Sequence, residues 1–328
     1  MTSDVQPKIL SSKTTYQRGP HWVALLAAAL TLPLLFVGGS VTSYGVGMAV
    51  PDWPTTFGMN MFLYNFWNDS LGVKLEHTHR LYGVGVGLAT LFLTVWFLAF
   101  ERRRYMKVLG VVALAAVIAQ GIMGGLRVNQ ISTFFAAVHG CFGQAFFGLM
   151  VALCVLTSRS WLEPSNSAAD IDGIRWQSGA LLAFIYGQVV VGAWFRHFRT
   201  PFALVTHIAL ALILWSFAFV IIVQVRRRRI QIPTLLSSAR SLGMFITFQV
   251  VLGIIALWLM LPLGGNPRSP SLWQAMLRTA HQTNGAILLA SSIVLCLRSF
   301  QIHRLMKPYK SPSPTLGDSA SRKWEAVA

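Results

Sequence analysis

Long apolar runs, separated by short basic or polar turns, recur along the whole chain. Runs long enough to cross a hydrocarbon core of about 30 Å fall near 22–44, 76–100, 108–126, 134–157, 176–195, 202–224, 241–262 and 275–299. In lipid the backbone must satisfy its own hydrogen bonds, so runs of this length and hydrophobicity predict helices. The expectation is an all-α integral membrane protein of eight transmembrane helices. Two intervals break the pattern: 51–75, rich in Asn, Trp and Pro, and the polar stretch 158–175 between the fourth and fifth helices.

Those intervals divide the chain into an N-terminal segment 1–21, a first four-helix half 22–157, a linker 158–175, a second four-helix half 176–300 and a tail 301–328. The tail, with its Lys, Ser and Pro, reads as solvated and disordered. An internal repeat relates the halves. Gln120-x-x-x-Gly124 in helix 3 precedes His139 by 19 residues, and Gln188-x-x-x-Gly192 in helix 5 precedes His207 by the same 19. Helix 7 carries Gln249-x-x-x-Gly253 ahead of His281, with a longer connection. Such self-similarity predicts two pseudo-symmetric four-helix bundles.

Charge adds orientation. Only 11% of residues are charged and 54% are hydrophobic, which excludes a water-soluble domain. The 27 basic residues exceed the ten acidic ones, but they cluster between apolar runs, where they set topology and do not form a nucleic-acid surface. With the N-terminus inside, 20 of the 27 lie on inner segments. Both termini are therefore expected in the cytoplasm of a bacterial-type inner membrane. Cys141, Cys154 and Cys296 lie in apolar runs without a Cys-x-x-Cys partner and read as core residues, not zinc ligands.

The candidate chemistry is carried by histidine. Of eight histidines, His79, His139, His207 and His281 each lie a few residues inside the start of helix 2, 4, 6 or 8. All four helices begin on the outer side, so these imidazoles share one depth. A lone intramembrane histidine is more often hydrogen-bonded to a neighbouring helix, but an ionisable group there faces the bundle interior and marks function. One turn further along stands a small residue in each case, Gly83, Gly143, Ala211 and Gly285, a pattern expected to leave room for a planar macrocycle. Imidazole is a usual axial ligand of haem iron, and four imidazoles predict two sites of two ligands. The repeat pairs His79 with His139 and His207 with His281.

The halves are not equivalent. Glu76, three residues before His79 and on the same helix face, is the one acid near a helix-borne histidine. It can relay protons or steady positive charge, or it can simply cap helix 2 and pair with Arg80. Arg80, Arg127, Arg196, Arg199 and Arg278 stand at outer helix ends, against the general charge bias. Arg80 and Arg278 are candidates for holding haem propionates, to which the guanidinium fork is suited, although interfacial anchoring explains each equally well. His77 and His197 read as interfacial residues that do not bind iron, and His21 and His303 lie on the inner side.

Together, Glu76-His77-Thr78-His79-Arg80, the stretch Gly38-Gly39-Ser40-Val41-Thr42-Ser43, the loop motif Pro51-Asp52-Trp53-Pro54 and the three later histidines resemble the haem A synthase family. The resemblance covers about 22–300. It implies an enzyme that oxidises one ring methyl of haem O to a formyl group, through successive hydroxylations to a gem-diol that loses water. It further implies that His79 and His139 frame the substrate haem O, that Glu76 is required for turnover, and that His207 and His281 ligate a resident haem b. A haem O synthase as partner, an electron donor and self-association are expectations of the same kind. Some members carry a cysteine pair in the first outer loop; residues 51–75 contain none, so no thiol step operates there. The loop is a candidate cover for the first site. Two rival readings remain at this level, a di-haem electron carrier and a haem-handling protein that leaves its cargo unchanged.

Overall fold

The computed structural model describes residues 16–163, 171–227, 232–259 and 270–306. Expectations for the N-terminal segment before residue 16, the middle of the linker and the tail beyond 306 lie outside the described residues, as do Lys8, Lys13, Arg228 and Arg229.

Among the described residues are eight long helices: α1 (Arg18–Tyr44), α2 (Leu71–Phe100), α3 (Arg104–Asn129), α4 (Thr133–Thr157), α5 (Asp172–Phe198), α6 (Pro201–Arg227), α7 (Pro233–Trp258) and α8 (Leu272–Met306). Each is long and apolar enough to cross a membrane. One further turn of helix, Arg159–Leu162, follows α4. The helices outrun the apolar spans read from the sequence. Helix α2 starts at Leu71 because Ser70 supplies its N-cap, accepting from the Val73 N–H, so a polar turn precedes the apolar run. Consequently Glu76 sits in the second turn of α2 and not at its start. Helix α7 likewise gains a polar first stretch that begins at Pro233, a residue suited to an opening turn.

Two connections at the histidine-bearing end are short. Helices α3 and α4 are joined through Ile131, which takes a positive φ of 50°, and α5 and α6 through Arg199, with φ 57°. Such turns leave no choice but an antiparallel neighbour. Around the first half, α1 packs on α2, α2 on α3, α3 on α4, and α4 back on α1; around the second, α5 packs on α6, α6 on α7, α7 on α8, and α8 on α5. The halves meet through α4 against α8, α1 against α8, and α4 against α5.

Each half has its own apolar interior. In the second, Leu181, Leu214, Ile221, Leu235, Leu242 and Leu295 form one buried cluster; in the first, Ala24, Leu93, Phe97, Met106, Met150 and Leu153 form another. Small residues bring helices together, as expected where lipid is as apolar as the interface. The backbone of Gly110 in α3 lies against Phe97 in α2, and the Thr94 hydroxyl donates to the Gly110 carbonyl at 2.8 Å. On the side where α8 ends, Arg298 donates to the hydroxyls of Ser158 and Ser160 and lies over the Trp161 ring, clipping α8 to the turn after α4.

Candidate functional site: two imidazole pairs

Helices α2, α4, α6 and α8 run in one direction, and each carries its histidine two to three turns from the N-terminal end. The structure brings these residues together in the pairs expected from the repeat. The rings of His79 and His139 have centroids 6.1 Å apart, and those of His207 and His281 are 6.2 Å apart. An imidazole nitrogen binds a transition metal at about 2 Å, so two imidazoles on opposite faces of one metal place their ring centres roughly 6 Å apart. Among the described residues, no group of three or more His, Cys, Asp or Glu is placed to hold an ion. Two nitrogens per site leave a bare cation undersupplied, whereas a metal that brings its own four equatorial nitrogens needs only two. The donor set fits haem.

Each histidine ring lies on a glycine of the helix before it. A Cβ on Gly38, Gly124, Gly192 or Gly253 would meet the Cε1 of His79, His139, His207 or His281 at 2.7, 3.1, 2.7 and 3.1 Å. The residue four positions earlier completes the cradle. The His79 Nδ1 lies 3.2 Å from the Leu34 carbonyl. In His139, His207 and His281 the Nδ1 is buried and has no hydrogen-bond partner among the described residues. The glutamine side chains bond back toward the histidine helix. Gln120 Nε2 donates to the His139 carbonyl at 3.1 Å, Gln188 Nε2 to the His207 carbonyl at 2.7 Å, and Gln249 Nε2 lies 3.3 Å from His281 Nε2. Asn284 fixes Gln249 by donating to its Oε1 at 2.7 Å. A metal-binding histidine is commonly oriented by such an acceptor on its second nitrogen. The Gln-x-x-x-Gly repeat is therefore the supporting frame of the ligands, and α1 supplies a fourth copy, Leu34-x-x-x-Gly38, in which leucine replaces glutamine.

The small residues one turn beyond the histidines have mixed roles. At Gly83 an added Cβ would meet nothing within 4 Å. At Gly143 and Gly285 the space belongs to glutamine: a Cβ there would meet Gln120 Nε2 at 2.8 Å and Gln249 Nε2 at 3.3 Å. Those glycines admit the supporting amide, a correction to the sequence reading.

Glu76 is buried, and both carboxylate oxygens are engaged. Oε2 accepts from the Val50 N–H at 3.1 Å, and Oε1 pairs with Arg80 at 3.2 Å. Arg80 donates also to the carbonyls of Val50, Asp52 and Thr55. This guanidinium, expected to be free for a propionate, thus spends four hydrogen bonds on the outer loop and Glu76. Arg278, the other candidate, keeps a buried Nε without a partner. Arg127, in the last turn of α3, donates to the Gly47 carbonyl at 2.7 Å. His77 is buried beneath the loop, 3.3 Å from the Thr56 hydroxyl and packed on the rings of Phe66 and Tyr64, well suited to its non-ligand assignment.

The loop after α1 is thus anchored at the outer end of the first half. Trp53 lies on Gly125 of α3, where any Cβ would overlap the indole. The second half has only the two residues 199–200 at the corresponding place between α5 and α6. Inside the loop, Asp52 accepts from the Thr55 hydroxyl and from the N–H groups of Phe57 and Gly58, shaping the tight turn at Phe57 and Gly58, both at positive φ. Burial pushes the Asp52 carboxyl upward, but these donors outweigh it and hold it below the usual carboxylate range. A depressed folded value adds stability above the ordinary carboxylate value of about 3.9, lost as pH falls through the folded one. Asp52→Asn is therefore expected to speed proteolytic cleavage of the loop at neutral pH in intact membranes, and an unchanged rate would contradict this role.

The cradle makes a graded prediction. Gly192→Ala, with the closer approach to its histidine, is expected to perturb any haem spectrum of the second half more than Gly253→Ala does; equal spectra would contradict it.

An all-helical, multi-pass membrane protein with two facing imidazole pairs and one covered end is a narrow class. Residues 71–206 match the sequence profile of the COX15-CtaA family, cytochrome oxidase assembly protein. That segment is similar to the family that the sequence resembles. The match spans α2 to the opening of α6 and includes Glu76, His79 and His139, ending one residue before His207. No curated protein matches the chain.

Proposed function

We propose that the chain is a haem A synthase, oxidising a ring methyl of haem O to the formyl group of haem A for a terminal oxidase. The observation that carries this reading is the pair of facing imidazoles in each half, set beside a buried carboxylate and an anchored loop in the first. His79 and His139 hold the substrate haem O; His207 and His281 hold a resident haem b that supplies one-electron chemistry when bound. Arg278, whose buried Nε has no partner among the described residues, would meet a propionate.

The chain's own residues then divide the work. The Leu34 carbonyl and Gly38 orient His79, while Gln120 and Gly124 orient His139. The loop over α2 and α3 limits water at the first site, where stray water or reductant would divert the chemistry. Glu76 keeps a negative charge beside two arginines, so positive charge developing on the ring methyl is opposed by less net repulsion. Haem O arrives from a haem O synthase, electrons come from a separate donor, and both termini lie in the cytoplasm.

Membranes containing the protein, supplied with haem O and a suitable reductant, are expected to yield haem A on pigment chromatography. No haem A from the wild type contradicts the assignment. The rival reading of a transmembrane electron wire is disfavoured because both pairs sit near the same ends of parallel helices, a placement suited to lateral exchange.

A further inference from the structure

The two halves differ in charge as well as in cover. At the outer end of the first, Glu76 stands against Arg80 and Arg127. At the outer end of the second, Arg196, Arg199 and Arg278 influence one another, and the ion pairs of the described residues are Arg80–Glu76, Arg103–Glu101 and Arg159–Glu163, none of them there.

Arg196 is the member of this group that touches both halves. It leaves the last turn of α5 and donates to the Gly39 carbonyl at 2.8 Å and to the Ser43 hydroxyl at 2.7 Å, both on α1. Gly39 follows Gly38, on which the His79 ring lies. Ser43 in turn lies 2.9 Å from the Thr279 hydroxyl, two residues before His281 on α8. Neutral oxygens hold the guanidinium in place, so its charge is oriented without being cancelled, one hydroxyl contact away from the turn of α8 that leads to His281.

We propose that Arg196 is a positioning residue that sets the reduction potential of the metal centre held by His207 and His281, making that centre the better electron acceptor of the two. The inference rests on the haem reading above. The step concerned is one electron added to ferric iron to give ferrous iron, with no bond made or broken. The iron becomes less positive, so a fixed cation in a low-dielectric surrounding favours the reduced form. The first site, with Glu76 among its cations, receives less of this bias.

The test is a redox titration of the purified, haem-loaded protein, followed at the low-spin absorption bands. Arg196→Gln is expected to lower the reduction equilibrium constant about ten-fold, a fall of about 59 mV for one electron. Arg196→Met, neutral and without a buried amide, gives the same shift. Arg196→Lys keeps the charge and loses the two-point geometry, so its midpoint stays near that of the wild type. Equal shifts in the Gln and Lys variants reduce Arg196 to a structural clamp and overturn the proposal, as do unshifted midpoints in all three. A wild-type protein without low-spin haem overturns the haem assignment as well, a result distinct from an unshifted midpoint.

Discussion

His207→Ala and His281→Ala are each expected to abolish the low-spin haem b spectrum, whereas His79→Ala and His139→Ala leave that spectrum in place and remove turnover. On the proposed reading each pair would hold one haem between its two imidazoles, so loss of either would leave that haem a single histidine. The pairs are independent because each is assembled within one half, with ring centroids 6.1 and 6.2 Å apart. Low-spin absorption of the purified variants, normalised to protein, reads the first outcome, and product chromatography reads the second. A purified His207→Ala protein with unchanged haem b content would falsify the division of labour.

Glu76→Gln is expected to lower haem A formation about a hundred-fold or more, the scale on which a positioned acid or base acts, with the haem b spectrum intact. Two effects of Glu76 must be separated. Its carboxylate accepts from the Val50 N–H and pairs with Arg80, so it helps to fasten the loop; it also places a negative charge beside Arg80. Glutamine preserves size and an acceptor oxygen but not the charge. Turnover lost with the loop still resistant to protease identifies the charge as the requirement. Turnover lost in step with loop cleavage identifies the fastening. Product formed as well by Glu76→Gln as by the wild type contradicts both roles.

Much of this arrangement is legible in the chain itself, for a definite reason. Membrane helices must be long, apolar and continuous, and alternate helices must begin on the same side, so hydropathy alone places four histidines at one depth. The equal 19-residue spacing of Gln120 to His139 and Gln188 to His207 then carries the pairing, since two-helix units of the same length fold back in the same register. The frame around the ligands is less legible. Leu34 does in α1 what glutamine does elsewhere, because the backbone carbonyl and not the side chain meets the imidazole, and a backbone role leaves no residue signature. Only the spacing Leu34-x-x-x-Gly38 could have revealed it.

The roles of Gly143 and Gly285 were obscured in a similar way. A missing side chain makes room, but the sequence does not say for what, and the structure fills that room with the amides of Gln120 and Gln249. Arg80 shows the same limit. Its place at an outer helix end suits a propionate, yet a loop of 26 residues between α1 and α2 buries enough carbonyls to claim it. Loop conformation depends on particular caps such as Asp52, and these have no periodicity to read.

The measurement that bears most directly on two unequal imidazole sites is the pigment content of the purified wild-type protein from cells that make haem O. The account predicts haem b as a firmly retained component, accompanied by haem O or haem A in smaller and variable amounts. Haem b in both sites, with neither haem O nor haem A recovered, would contradict it.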